Sequence, residues 1–250
     1  MSKLRNKALM LSKSKPDYVK DGLVLWLDAQ EPFIVMYDNA GEKIRIWRDR
    51  AISGQKSNVG GVSQTKDSVF FDGVNSRSKI LDEEYINLTG VLSGLNDRTL
   101  EVVCKLNNSD DVQVLFLGKG TAASAENGAA GLWYRPSSAG FKVGTWDSAS
   151  PVLVSDVTER ASYSIVYSNE DLNSFDFYRN GTECVKGETA GSMYNTMTTI
   201  GARLNKDGST WEYRLSGEIC SIRVYNRKLT EQERLHNLAI DTRRFNLNAG

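Results

Sequence analysis

From Asp21 onward, apolar residues recur at every second position rather than at the three-to-four spacing of a helix. In the segment TLEVVCKL, which begins at Thr99, one face of an extended chain carries four apolar residues, Leu100, Val102, Cys104 and Leu106. The opposite face carries Val103 together with polar side chains. This pattern predicts a strand with one buried face, and it argues against a chain built mainly of helices.

Similar short runs continue along the chain and are separated by turn-forming residues. They are LVLWLDA (23–29), KIRIW (43–47), SVFFDG (68–73), VQVLFLG (112–118), GLWYR (131–135), FKVGTW (141–146), SYSIVYS (162–168), SFDFYRN (174–180), TTIGAR (198–203) and EICSIRVY (218–225). About ten or eleven strands of this kind predict an all-β sandwich or barrel.

Two dipeptides predict tight hairpins. Asn180-Gly181 follows FDFYR, and Asp207-Gly208 lies between two strand-like runs. Both pairs tolerate the positive φ angles of a type I′ turn, so we expect an antiparallel meander. The segment 118–131 consists mostly of small residues and is long enough to contact a ligand.

One helix is predicted near the C-terminus. Thr230 and Glu233 have the spacing of a capping box, in which each side chain satisfies the other residue's backbone N–H. Leu235, Leu238 and Ala239 then form an apolar stripe, so we expect the helix to pack across the sandwich edge through these residues.

Residues 1–20 differ in composition from the rest of the chain. They contain six basic residues and one acidic residue, with Pro16 near the end. Two interpretations stay open for this basic N-terminal arm: a frayed terminus, or a peptide that docks onto a larger assembly. The packed domain is expected to span residues 21–250.

Size and charge exclude several classes of protein. The chain has 250 residues, with 31 Lys and Arg against 31 Asp and Glu, so no overall positive field attracts nucleic acid. The apolar runs are much shorter than the ~18–20 residues that span a bilayer, and the start of the chain lacks a secretory core. Cys104, Cys184 and Cys220 are widely separated and predict reduced thiols rather than a disulfide framework or a zinc site.

The order of several motifs resembles a known family. These motifs are DGLVLWLDA (21–29), W-x-D at Trp47–Asp49, FDG at Phe71–Gly73, FYRNG (177–181) and the ending GEICSIRVYNRKLTEQERLHNLAIDTRRF (217–245). Together they are similar to the laminin-G-like, concanavalin A-like lectin/glucanase jelly rolls over about residues 21–245. RVYNR followed by L-T-x-x-E is the most specific part.

The resemblance implies a two-sheet antiparallel jelly-roll sandwich that carries a glycan-binding or protein-binding surface. Modules with this C-terminal pattern resemble parts of gut bacterial surface proteins and of tailed-phage virion proteins. The chain has its own Met1, no recognisable export signal, a single domain and a basic arm. We therefore expect a virion surface protein, such as a fiber, decoration protein or tail appendage, that is made in the host cytoplasm.

An enzyme is the alternative that the same fold raises. Related glucan hydrolases place their carboxylates as E-x-D-x-x-E on one strand, where one acts as nucleophile and the other as acid. The sequence lacks this motif, since Glu101 is followed by Val103 and Lys105, and its only histidine is His236 on the predicted helix. We expect no catalysis, with a glycoside hydrolase of atypical site as the less favoured alternative.

Acidic clusters at Asp82-Glu83-Glu84 and Asp110-Asp111 have the oxygen chemistry that Ca²⁺ prefers. They lack the spacing of a calcium loop, and solvated loops are the simpler interpretation. We therefore expect no cofactor and name no metal ligand.

Aromatic residues supply the candidate ligand-binding site, because flat rings pack on the C–H faces of sugars while nearby polar groups bind hydroxyls. The candidates are Trp133, Tyr134, Arg135, Trp146, Asp147, Asn205, Asp207, Trp211 and Tyr213. Trp26 and Trp47 are expected in the core, since apolar strands surround them. Trp133 and Tyr134 are adjacent on a strand, so they must point to opposite faces.

The sequence thus predicts a non-enzymatic virion surface protein that binds host or mucosal glycans and attaches to other virion proteins through residues 1–20. A purely structural virion protein, with both faces used for protein contacts, is the alternative from another class. No sustained heptad specifies a trimer, so a homo-oligomer stays open.

Overall fold

The computed structural model describes residues 16–30, 34–37, 43–48, 50, 56–60, 63–73, 77–80, 97–107, 111–119, 130–138, 140–145, 150–154, 157–168, 174–189, 197–204 and 210–248. These residues form two large antiparallel sheets, a two-stranded sheet, one turn of 3-10 helix and one α-helix. The prediction of an all-β sandwich with one C-terminal helix is therefore confirmed. No helix among the described residues is long and apolar enough to cross a membrane.

The strands, in chain order, are β1 (Leu23–Asp28), β2 (Ile34–Tyr37), β3 (Lys43–Arg48), β4 (Lys56–Gly60), β5 (Ser63–Gln64), β6 (Val69–Asp72), β7 (Arg77–Ile80), β8 (Arg98–Leu106), β9 (Gln113–Lys119), β10 (Ala130–Arg135), β11 (Gly140–Thr145), β12 (Ser150–Leu153), β13 (Ala161–Ser168), β14 (Ser174–Arg179), β15 (Thr182–Thr189), β16 (Met197–Ile200), β17 (Arg203–Leu204), β18 (Trp211–Glu212) and β19 (Ser216–Tyr225). The 3-10 turn is Pro136–Ser138, and the α-helix, α1, is Glu231–Phe245.

Two sheets build the sandwich. Sheet A has eight strands in the order β15-β14-β13-β8-β19-β6-β5, and β1 also pairs with β19. Sheet B has nine strands in the order β12-β11-β10-β9-β16-β7-β4-β3-β2. The long strand β19 is central in sheet A, because β8 lies along one of its edges while β6 and β1 share the other.

The main core lies between the sheets and contains a cluster of aromatic rings. Phe141 of sheet B packs against Tyr163 and Phe177 of sheet A, with ring centroids 4.8 and 5.9 Å away. The edge-to-face arrangement of Phe141 and Tyr163 is a favoured aromatic geometry. These rings hold the two sheets together at the β11–β13–β14 side of the sandwich.

The alternation in β8 is confirmed. Its four predicted core residues, Leu100, Val102, Cys104 and Leu106, all belong to the main core. Val103 points to the outer face of sheet A, where it packs with Cys220 and Phe245. A period of two therefore identified the core face correctly, but the expectation of a single buried face is wrong, because Thr99, Glu101 and Val103 on the other face are buried as well.

Strand β15 was not among the predicted strands. It is an edge strand of sheet A, and most of its side chains are exposed. Because neither face is buried, its sequence TECVKGET has no apolar alternation to detect. Its pairing with β14 contains two register shifts, which disrupt the regular pattern of an exposed edge.

The hairpin prediction at Asn180-Gly181 is confirmed, since both residues have positive φ angles, 48° and 81°, between β14 and β15. The second hairpin joins β17 and β18, which pair antiparallel. Its predicted turn, Asp207-Gly208, lies outside the described residues.

Helix α1 begins with the predicted capping box. Thr230 Oγ1 accepts a hydrogen bond from the Glu233 N–H, and the Glu233 carboxylate accepts one from the Thr230 N–H. The same carboxylate pairs with Arg227 at 2.6 Å. The helix ends at Asn246, whose φ of 56° is the left-handed conformation common at helix ends.

The predicted packing face of α1 is only partly correct. Leu238 packs against the outer cluster of Val103 and Cys220, but Leu235 and Ala239 are exposed. The buried helix residues are Arg234, Asn237, Ile240, Asp241 and Phe245. The helix lies over the outer face of sheet A rather than at the sandwich edge, since its polar side chains bind groups on β8, β13 and β19. The apolar stripe was misleading because much of the buried helix face binds polar groups of the sheet.

Glu233 makes helix α1 sensitive to acid. Hydrogen bonds from Arg227 and Thr230, against the opposing effect of burial, lower the pKa of Glu233 to about 2. A depressed carboxyl pKa stabilises the fold above the unfolded-state pKa, and this contribution disappears as the pH falls toward the folded-state value. Glu233→Gln keeps an acceptor for the capping box but removes the charge that pairs with Arg227 and with the helix N-terminus, so it should cost about 1 kcal/mol at pH 7.

Urea denaturation of both proteins between pH 7 and pH 2 measures this effect. The stability difference between wild type and Glu233→Gln should shrink as the pH falls from about 4.5 to about 2. A difference that stays constant over this range would show that the carboxylate charge has no part in it.

The last part of the predicted arm packs onto α1. Tyr18 is 2% exposed, the Val19 N–H donates to Asn237 Oδ1 at 3.0 Å, and His236 Nε2 lies 2.8 Å from the Asp17 carbonyl oxygen. Residues 16–20 are therefore part of the packed structure. Residues 1–15 lie outside the described residues.

Candidate functional site

The outer face of sheet A is filled by a buried ionic network under α1. Arg223 on β19 binds Asp241 of the helix through two hydrogen bonds of 2.9 and 2.6 Å, and it donates to Glu101 on β8 at 2.9 Å. All three residues are almost completely buried. Burial alone would lower the pKa of Arg223, but Asp241 and its other anionic neighbours hold it well above the usual value.

Further polar groups complete this network. The Tyr18 hydroxyl donates to Asp241 at 2.6 Å, and the Arg223 guanidinium lies 4.0 Å from the centre of the Tyr18 ring. Asn237 Nδ2 donates to Glu101 and to the Tyr225 hydroxyl. Burial raises the pKa of Glu101, and the neighbouring Arg223 opposes this effect.

Asp28 on β1 of sheet A is a further fully buried carboxylate, in addition to Glu101 and Asp241. It accepts hydrogen bonds from Arg244 at 2.7 Å and from Arg50 at 3.5 Å. Each of the buried acids in the described part of sheet A and α1 thus has an arginine partner. This face holds the helix in place and leaves none of these carboxylates open to a substrate.

An open pocket of 310 Å³ lies at the C-terminal end of α1. It is lined by Lys105, Thr158, Glu159, Arg160, Glu218, Phe245, Asn246 and Asn248. Arg160 is already occupied, because it donates to Glu218 at 2.6 Å, to Asp67 at 3.4 Å and to the Phe245 carbonyl at 3.2 Å. The pocket is polar, and its one aromatic residue, Phe245, is buried, so no ring is offered to a sugar.

The outer face of sheet B carries a different set of residues. Phe141 and Val143 belong to the main core, so Lys142 between them points outward. Trp133 lies on β10, where it pairs across the sheet with Lys142 of β11 and with Val114 of β9. Trp133 and Lys142 therefore share the outer face of sheet B.

Tyr213 follows β18 and joins this region through its backbone. Its carbonyl oxygen accepts a hydrogen bond of 3.0 Å from the Val114 N–H, so it continues the row of groups beside β9. Its side chain is 39% exposed, and the Arg203 guanidinium lies 5.6 Å from the centre of its ring. A partly exposed ring beside a guanidinium is suited to a sugar ring with hydroxyl groups.

Arg135 lies two residues after Trp133 on β10 and so shares its face. Partial burial lowers the pKa of Lys142, and the positive charge of Arg135 lowers it further. We name the set Trp133, Arg135, Lys142, Arg203 and Tyr213 the sheet B patch. Trp133 and Arg203 are buried, at 1% and 8% exposure, so the accessible members of the patch are Arg135, Lys142 and Tyr213.

The predicted site residues differ in their burial and in their place in the fold. Trp133 is 1% exposed, so its ring offers no face to a ligand in this conformation. Tyr134 packs against the main core, with its ring 5.9 Å from that of Phe141. Arg135 and Tyr213 belong to the sheet B patch, and Trp211 lies in β18. Trp146, Asp147, Asn205 and Asp207 lie outside the described residues.

Sequence reasoning missed Lys142 and Arg203. Lys142 stands opposite Trp133 only through the register of β10 and β11, and Arg203 meets Tyr213 through the β17–β18 hairpin. The alternation of FKVGTW could have indicated that Lys142 points away from the core. Neither the cross-strand register nor the contact with Tyr213 can be deduced from that alternation.

Trp26 is buried as predicted, but in an outer cluster with Tyr18 and Ile240 rather than between the sheets. Of Trp47, the structure describes only its place in β3.

The acidic clusters, for which the sequence favours solvated loops, lie mostly outside the described residues. Asp82, Glu83, Glu84 and Asp110 lie outside the described residues, and Asp111 is exposed in a bend before β9. Within the described ranges, no group of three or more His, Cys, Asp or Glu residues is arranged to hold a metal ion. Cys104, Cys184 and Cys220 are free thiols.

Comparison of the sequence with protein families gives one result that covers more than half of the chain. The model described as the concanavalin A-like lectin/glucanases superfamily, of laminin G type, matches residues 78–233. No curated protein matches the chain.

Solved structures with a similar fold include enzymes and binding domains. A Trypanosoma rangeli sialidase in complex with 2,3-difluoro-KDN matches with a TM-score of 0.62 and 15% identity, covering 89% of this chain and 33% of the sialidase chain. The same sialidase in complex with sialic acid matches with a TM-score of 0.58 and 16% identity, covering 89% of this chain and 33% of the sialidase chain. The receptor-binding domain of botulinum neurotoxin C/D mosaic serotype matches with a TM-score of 0.59 and 8% identity, covering 88% of this chain and 52% of the toxin chain.

The chain thus spans about a third of the sialidase and about half of the toxin domain. At these identities the similarity shows the fold alone.

Proposed function

Because the chain belongs to the concanavalin A-like lectin/glucanase superfamily, we propose that it is a non-enzymatic carbohydrate-binding protein that acts through the sheet B patch. The fold is one on which both binding domains and enzymes occur, so the choice depends on the residues. The observation that carries the proposal is the pairing of the exposed Tyr213 ring with Arg203. An exposed ring beside a polar donor is the arrangement that sugar recognition requires.

The covering of sheet A supports the choice of sheet B. Helix α1 and residues 16–20 occupy much of the outer face of sheet A and bury its charged groups. A ligand at that position would have to displace the Tyr18 segment from Asp241. The sheet B patch, in contrast, includes the exposed side chain of Tyr213.

The state of the carboxylates supports binding without catalysis. A glycoside hydrolase needs two acids that reach the same sugar linkage, one of them able to donate a proton. Glu101 and Asp241 are buried and bound to Arg223, while Glu218 in the open pocket is bound to Arg160. Release of reducing sugar by the wild-type protein, lost when a single carboxylate is replaced, would contradict this part of the proposal.

The biological setting that we propose is the surface of a phage particle, where many copies would convert weak individual contacts into avidity. Resemblance of the sequence to virion modules and the basic composition of residues 1–15 support this setting. The arm would bind other virion proteins. Deletion of residues 1–15 tests this role without removing Tyr18, and retention of the truncated protein on particles would contradict it.

Replacing Tyr213 by alanine should weaken glycan binding about two- to twelvefold, because one aromatic contact is worth about 0.5–1.5 kcal/mol. A glycan array first identifies a ligand, and tryptophan-fluorescence titration then measures its affinity. Leu235→Ala is the matched control. Among the described residues, Leu235 is the other large exposed apolar side chain, with an exposed fraction of 43% compared with 39% for Tyr213.

Equal effects of the two substitutions would contradict a site at Tyr213. Absence of any response on the array, together with stable incorporation into particles, would favour the structural virion protein instead.

A further inference from the structure

We propose that the sheet B patch binds an anionic sugar residue, whose carboxylate or sulfate group is held between Arg135 and Lys142. This inference deepens the proposed function and rests on it. The shared chemistry is an oxyanion on a sugar ring, as in a sialic acid, a uronic acid or a sulfated sugar. Neutral glycans would bind the same face more weakly.

The register of β10 and β11 brings the two cations together. Trp133 is opposite Lys142 and Arg135 is opposite Gly140, so Arg135 and Lys142 are diagonal neighbours on one face. Diagonal neighbours in an antiparallel pair are about 7–8 Å apart, still within reach of long side chains. An oxyanion between them can therefore accept hydrogen bonds from both.

Glycine residues leave space around this position. Gly140 and Gly144 flank Lys142 at the alternate positions of β11, so both lie on its face. Neither carries a side chain, and Gly140 faces Arg135 across the strand pair. Gly140 is itself buried, so the accessible groups at this position are the partly exposed side chains of Arg135 and Lys142.

Electrostatics favours an anion at this point. Burial is the main cause of the lowered pKa of Lys142, and repulsion from the neighbouring cation Arg135 adds to it. An oxyanion would offset the repulsion and form charge-assisted hydrogen bonds. Arginine adds a planar fork that matches the geometry of carboxylate and sulfate groups.

Tyr213 extends the site in one direction. The backbone at Tyr213 is bonded to β9, and Lys142 lies on β11, so three strand spacings separate them. This corresponds to about 14 Å at a spacing of ~4.8 Å per strand. We therefore infer an oligosaccharide ligand, with the acidic sugar at Arg135 and Lys142 and a neutral ring at Tyr213.

Binding of 3′-sialyllactose, a glucuronic acid disaccharide and a 6-sulfated galactoside, each compared with lactose, tests the charge requirement. Lys142→Gln and Arg135→Gln should each lower the affinity for at least one anionic probe about tenfold, the effect of one lost charge-assisted hydrogen bond. Affinity for lactose should change less than twofold. The probe that responds identifies the anion.

Lys186→Gln is the charge-matched control. Lys186 is an exposed lysine on the edge strand β15, where it lies 3.8 Å from Glu183. It should leave the affinity for every probe unchanged. Equal loss of lactose and anionic binding in Lys142→Gln, or equal effects of Lys142→Gln and Lys186→Gln, would overturn the proposal.

Backbone amide shifts separate this inference from the proposed function. In ¹⁵N spectra, sodium sulfate should shift the amides of Gly140 and Lys142 relative to sodium chloride at equal ionic strength, and Lys142→Gln should abolish the shift. If sulfate shifts these amides but no glycan binds, carbohydrate recognition is refuted and the anion site is kept. Glycan binding without movement of these two amides would overturn the anion site and keep the proposed function.

Discussion

Asp241→Ala should destabilise the domain by about 3–5 kcal/mol, the expected cost of removing one partner from a buried ionic network. Asp241 accepts two hydrogen bonds from Arg223 and one each from Tyr18 and Ser162, and it is fully buried. Alanine would remove the acceptor of all four bonds, and Arg223 would keep only its bonds to Glu101 and Ser221. The free energy of unfolding from urea titration measures the loss.

A second substitution separates charge from packing. Because a buried ionic network often contributes little compared with apolar residues of similar size, the triple variant Glu101→Leu/Arg223→Met/Asp241→Leu, which removes all three buried charges, should be more stable than Asp241→Ala alone. Glu183→Ala is the exposed control and should cost less than about 1 kcal/mol, since Glu183 pairs only with Lys186 at the surface. An Asp241→Ala protein as stable as this control would show that Arg223 finds another partner.

Phe141→Ala should cost about 3–5 kcal/mol, the range for truncation of a fully buried aromatic side chain. Phe141 is 0% exposed, and its ring contacts Tyr134 on its own sheet and both Tyr163 and Phe177 on the opposite sheet. Its removal would open a cavity at the contact between the sheets.

Denaturation in urea, monitored by circular dichroism, measures this loss. Phe141→Leu should lose much less stability, because a branched apolar side chain fills part of the space. Equal losses for the alanine and leucine variants would indicate that aromatic geometry rather than volume determines the stability of this cluster.

The sequence was informative about which residues of β8 face the core and about where α1 begins. In β8 the alternation identified the four core residues, and the capping box located the start of α1 at Thr230. Both signals are local, because they depend on the period of the chain or on a hydrogen bond between residues three apart. Strand β15 and the polar strands β4 and β7 give no such signal.

Helix α1 shows the limit of hydrophobic patterns. Leu235 is exposed, whereas Asn237 and Asp241 are buried against Glu101 and Arg223. These polar groups are stable inside the protein only because residues distant in sequence complete their hydrogen bonds. No periodicity of the helix alone can indicate which distant groups those are.

The candidate site was predictable only in part. Composition singled out Arg135 and Tyr213, but it also singled out Trp133, which is buried. Lys142 enters the site through cross-strand register, and a shift of one residue in β11 would place it on the other face. Register is a property of the assembled sheet, so it could not be deduced from the separate strands.

The contact between Tyr18 and Asp241 fixes where the chain enters the folded domain. This entry point lies under α1, on the side of the sandwich away from Lys142 and its neighbours. A support or carrier joined at the N-terminal end would therefore be attached on the side of sheet A, opposite the outer face of sheet B. The contact of Tyr18 with the fold sets this attachment side.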